Sequence, residues 1–113
     1  MPAIINSRDV AHTPNGNVRF EGEGYQAPVS VFVIADASGA PGPPLHVHPY
    51  VETWIVQRGS ARFVAGDSEY QASAGDIVVV EANTPHKFRN SGNTTLELVC
   101  IHPSPRILQT DLE

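Results

Sequence analysis

Two imidazoles and a carboxylate stand within seven residues, at His46, His48 and Glu52, and Thr84-Pro85-His86 adds a third imidazole downstream. Imidazole nitrogens and carboxylate oxygens are donors that divalent transition metals take, so the chemistry these residues could do is metal chemistry. On a strand, His46 and His48 would share a face with Cα atoms roughly 6.5 Å apart, and both could reach one ion. Continued straight, that strand would leave Glu52 about 13 Å beyond His48. Metal–ligand bonds of about 2.0–2.2 Å forbid a shared ion at that distance. The chain must therefore fold back at Pro49-Tyr50, bringing Glu52 in from the neighbouring strand. A helix is excluded, because positions two apart diverge on it and the surrounding prolines would break it. His86 alone reads as a structural or surface histidine; its strand–turn–strand setting gives it a place beside the other three.

Such donors need short strands to position them. Ten prolines and nine glycines are spread along the chain, and no amphipathic 3.6-residue pattern of helical length survives between them. Asn15-Gly16 is turn chemistry before a half-buried strand over 18–21. His12, upstream of that turn, reads as solvated. Residues 29–35 are β-branched and aromatic, as in a strand covered on both faces. The Gly/Pro-rich stretch 38–44 is a loop leading into His46. Strands follow over 51–57 and 61–65, a Gly66-Asp67 hairpin leads to 68–72, and an apolar strand covers 77–80. Thr84-Pro85 bends the chain into a strand from His86 to near Asn90. Leu96, Leu98, Cys100 and His102 then alternate with Glu97, which should face water, so the even positions point inward. Eight to ten short strands in all suggest an all-β sandwich or barrel.

The 113 residues fit one domain, 1–113, with an N-terminal arm over 1–16 and a C-terminal tail over 103–113 that is an edge strand, a docking arm or disordered. The net charge of −5, without a run of Lys or Arg, argues against nucleic-acid or anionic-membrane surfaces. Partners are then small molecules or another copy of the chain. The single Cys100 excludes an internal disulfide, and with no signal peptide or run of about 20 apolar residues the expected location is a reducing cytoplasm.

The spacing His46-x-His48-x3-Glu52-x6-Gly59 resembles the first motif of the cupin family at every functional position, although the family's opening glycine would fall on Ala40, between Gly39 and Gly42. Gly75-x5-Glu81-x-Asn83-x2-His86-x3-Asn90 is similar to the second motif, with Glu81 and Asn83 where the family prefers Pro and Gly. Asn tolerates positive φ better than most residues, so the turn can survive that departure. The resemblance implies a double-stranded β-helix, the jelly-roll barrel. It also implies one divalent ion on His46, His48, Glu52 and His86, and a homodimer.

Four protein ligands leave one or two open positions on an ion that accepts five or six. Three neutral imidazoles and a carboxylate leave a divalent ion near +1, able to polarise a chelating oxygen substrate or, with iron, to bind dioxygen. Donor type admits Fe, Mn, Ni, Zn, Co or Cu. Trp54, Val56, Phe88 and Cys100 point inward as candidate substrate-pocket residues, with a core role as the plainer reading of Trp54 and Phe88. His102 and Tyr50 are the candidate catalytic side chains. No Ser-His-Asp set or phosphate-binding glycine loop is present. The resemblance implies a dioxygenase acting on a small organic substrate. The alternatives are a non-redox lyase, isomerase or decarboxylase, or a ligand-binding or sensing module without turnover.

Overall fold

A computed structural model describes residues 2–113; Met1, the first residue of the expected arm, lies outside the described residues. Eleven strands follow in chain order: β1 (Ala11–His12), β2 (Val18–Glu21), β3 (Ser30–Asp36), β4 (His46–Val47), β5 (Glu52–Arg58), β6 (Ser60–Ala65), β7 (Ser68–Ser73), β8 (Ile77–Val80), β9 (His86–Asn90), β10 (Leu96–His102) and β11 (Thr110–Asp111). Single 3-10 turns cover Ser7–Asp9 and Gly22–Tyr25, and no helix among the described residues is long and apolar enough to cross a membrane. The strands form two antiparallel sheets, ordered β1-β2-β3-β10-β5-β8 and β11-β4-β9-β6-β7. This is the jelly roll that the resemblance implies. Eleven strands are one more than the upper expected count; β1 and β11, the latter an edge strand in the C-terminal tail, are two-residue edge pairings too short to leave a periodic signature.

Alternation along the central strands builds the core. Leu96, Leu98, Cys100 and His102 of β10 are buried while the residues between them are half-buried, and Trp54 and Val56 of β5 meet them from the same sheet. Phe63 and Phe88 close from the other sheet, their rings packing edge-on against Trp54 at centroid distances of 5.3 and 5.2 Å. Residues with free positive φ sit where tight turns demand them: Gly66 at φ +62° in the hairpin joining β6 to β7, and Asn83 at φ +60° in the turn before His86. Gly42, at φ +75°, packs so close that a Cβ would collide with the carbonyl of Phe88.

Two expectations need correction. β3 is not covered on both faces, since Val33 is 45 % exposed and Ala35 is exposed; its β-branched run reflects strand preference on an open outer face. In register with Val33 across the six-stranded sheet lie Val99, Ile55 and Ile77, and Val31 aligns with Ile101, Thr53 and Val79. That outer face is therefore a largely apolar surface, interrupted by Thr53, with Ile77 and Val79 66 % and 63 % exposed. Secondly, β5 is not the neighbour of β4: the chain crosses between the sheets over residues 48–51, so Glu52 faces the histidines from the opposite sheet.

Candidate metal centre

The two-residue strand β4 and its continuation carry His46 and His48, and β9 begins at His86, whose Cα is paired with that of His46. Glu52 opens β5 in the facing sheet. The fold thus brings all four sequence-predicted donors together: one ligand atom from each lies within 4.8 Å of the others. None of the four is more than 5 % exposed.

Each imidazole is oriented by a backbone carbonyl. The Nδ1 of His46 lies 2.7 Å from the carbonyl of Pro44, that of His86 lies 2.7 Å from Thr84, and that of His48 lies 2.7 Å from Leu108. A carbonyl only accepts, so Nδ1 carries the proton in all three rings and Nε2 presents its lone pair to the centre. The Nε2 atoms of His86 and His48 nevertheless stand 2.9 and 3.2 Å from the same Glu52 oxygen, Oε1. Lone pair against carboxylate is an unfavourable contact, and the buried His48 Nε2 makes no aligned hydrogen bond. A cation among these atoms relieves both, so the donor set fits a divalent ion. Burial lowers the pKa of His46 to about 4, against weaker support from its Pro44 hydrogen bond, which keeps that ring neutral. Burial by itself would raise the Glu52 carboxyl, but the group is held below the usual carboxylate range, with the His102 ring the largest of the opposing contacts.

Tyr50 and His102 are placed behind Glu52. The Tyr50 hydroxyl lies 2.5 Å from His102 Nδ1 and also accepts the Leu108 N–H at 3.3 Å. Its own proton therefore points at Nδ1, leaving the His102 proton on Nε2, which lies 3.0 Å from Glu52 Oε2 without an aligned hydrogen bond. His102 is 1 % exposed and lies in the lining of the cavity beside the donors, with Nδ1 held by the Tyr50 hydroxyl and Nε2 turned toward the Glu52 carboxylate. Tyr50 stacks on His48 at 5.2 Å with the rings 6° from parallel.

A cavity of about 260 Å³ opens onto His46, His48 and Glu52. Trp54, Phe88 and Cys100 lie in its wall, whereas Val56 is buried in the core outside the lining. Burial pushes the Cys100 thiol well above its ordinary value, so it is an inert apolar surface. Sequence reasoning missed Arg19 and Asp36 at this cavity and the Leu108 peptide beside the donors. Only the strand register reveals the first two, and a backbone carbonyl has no sequence signature.

The Cupin domain family model matches residues 32–102. Among curated proteins no sequence matches. Similar solved structures include the Lactobacillus farciminis oxalate decarboxylase formate complex, 20% identical with a TM-score of 0.78 over 93% of this chain and 34% of that one. The Bacillus subtilis oxalate decarboxylase, with its Mn(II) centres, is 18% identical with a TM-score of 0.76 over 93% of this chain and 36% of that one. An oxalate oxidase is 19% identical with a TM-score of 0.76 over 96% of this chain and 63% of that one. This chain therefore spans about a third of the decarboxylases and less than two thirds of the oxidase. At these identities the likeness is one of fold, and the family model covers most of the chain: it belongs to the cupin domain family.

Proposed function

We propose that this chain is a metal-dependent dioxygenase of a small organic molecule that reaches the ion through oxygen donors. The observation that carries this reading is the cavity of about 260 Å³ that ends on His46, His48 and Glu52, three of the four clustered donors, between the walls of Phe32, Ile34, Trp54 and Phe88. A divalent transition metal held there supplies Lewis acidity and, if redox-active, electrons for dioxygen. The protein's own contribution is to seat the substrate against apolar walls and keep bulk water away. His102 lines this cavity, but its Nδ1 is held by the Tyr50 hydroxyl and its Nε2 faces Glu52 at 3.0 Å, so a proton on either nitrogen is directed at a protein neighbour. Oxidative chemistry asks least of such residues.

A second reading, a metal-dependent decarboxylase, lyase or isomerase, is favoured by Asp36. This carboxylate is 5 % exposed and lines the same cavity, where it could shuttle a proton. The solved oxalate decarboxylases share the fold. Oxygen uptake by the Fe(II)-loaded chain, offered catechols, diketones, flavonols and thiols, separates the readings: consumption with one of them is expected. No uptake with any, together with turnover under nitrogen by the Mn- or Zn-loaded chain, would overturn the dioxygenase. A ligand bound tightly and recovered unchanged would assign the chain to binding or sensing.

The second partner we propose is another copy of the chain. The apolar outer face around Ile77 and Val79 supports this, because exposed apolar surface of that kind is characteristic of protein contacts.

A further inference from the structure

Residues 107–113 return from β10 across the strand that carries His46. β11 pairs with β4, Thr110 against Val47 and Asp111 against His46, and Leu112 N–H donates to Leu45 O at 2.7 Å. The segment is tied at both ends. At one, Ile107 is buried and its N–H donates to Glu21 Oε2 at 2.8 Å. At the other, the Glu113 carboxylate accepts from Leu45 N–H at 2.8 Å and from Lys87 Nζ at 3.1 Å.

Between these ties, one peptide reaches the metal centre by two routes. The Leu108 carbonyl accepts the Nδ1 proton of His48 at 2.7 Å. The Leu108 N–H meets the Tyr50 hydroxyl at 3.3 Å; that hydroxyl meets His102 Nδ1 at 2.5 Å, and His102 Nε2 lies 3.0 Å from Glu52 Oε2. Pro44 and Thr84, which orient His46 and His86, stand two residues from the rings they serve. The His48 partner is 60 residues away in sequence, so its position depends on the strap.

We propose that residues 107–113 form a positioning strap for the metal centre, in which the Leu108 peptide fixes the His48 ring directly and steadies Glu52 through Tyr50 and His102. This rests on the four donors holding an ion. Partners of this kind set the tautomer and aim of a ligating ring, and their loss typically weakens metal affinity about 10- to 100-fold. Leu108 acts through its backbone, and its side chain is 44 % exposed.

The test compares the Zn(II)-loaded full chain, a chain lacking residues 108–113, and Tyr50→Phe, with zinc loss followed by a chromophoric chelator and folding by circular dichroism. Exchange of the His48 imidazole proton is read by NMR on the metal-free full chain. Zinc loss about 10- to 100-fold easier from the shortened chain, a smaller effect in Tyr50→Phe, and a slowly exchanging His48 Nδ1 proton are expected. A folded shortened chain that retains zinc like the full chain overturns the proposal, as does a freely exchanging His48 proton. If the shortened chain does not fold, Tyr50→Phe decides: faster zinc loss sustains the strap and unchanged loss overturns it. A full chain that takes up no zinc defeats the donor reading instead, while the NMR result still judges the strap.

Discussion

Three carbonyls turn three histidines inward, and a carboxylate from the opposite sheet meets them. Removing one donor leaves the others buried and facing nothing suitable, so the loss exceeds that of one bond. Elemental analysis of protein purified without added metal should find an ion in the wild type and little in His86→Ala or Glu52→Gln; metal retained by both variants would show that the ion sits elsewhere. At this scale the donors were legible because imidazole and carboxylate are rare chemistry in a distinctive spacing. The roles of Tyr50 and His102 were not. Their types left several readings open, and the hydrogen bond between them, which links residues 52 apart in sequence and sets His102 toward Glu52, has no sequence signature.

Among the elements, the strands with a buried and an open face announced themselves by alternation, as in β10, whose four inward residues follow the even positions. The His86 turn also survived its departure from the family pattern, because Asn83 adopts the positive φ in place of glycine. Less legible were β1 and β11, which exist only through pairing with partners already in place. The crossing of residues 48–51 between sheets was legible as a necessary bend, though its destination depended on the tertiary fold. The loop before His46 depends on Gly42, where positive φ and the Phe88 carbonyl both exclude a side chain. Gly42→Ala should cost about 1–3 kcal/mol from the backbone conformation alone. Chemical denaturation measures it, and an unchanged midpoint would show that the loop moves freely.

For the molecule as a whole, pattern and motif were sufficient to predict a two-layer β fold, since two antiparallel sheets are a stable way to bury so many half-apolar strands. Oligomeric state follows from what the layers leave outside. The Val33, Val99, Ile55 and Ile77 row is apolar across four strands, so light scattering should give twice the chain mass. The double substitution Ile77→Lys with Val79→Lys should reduce it to one chain without loss of bound metal. A single-chain mass for the wild type would mean that this face meets something else, or water.

The return of Leu108 to His48 also sets an order of events during synthesis. A nascent chain with its first 102 residues outside the ribosome has all four donors, but the carbonyl that His48 leans on has not yet been made. If the strap holds the centre as proposed, firm retention of the ion waits until Leu108 has been made, after all four donors are already outside.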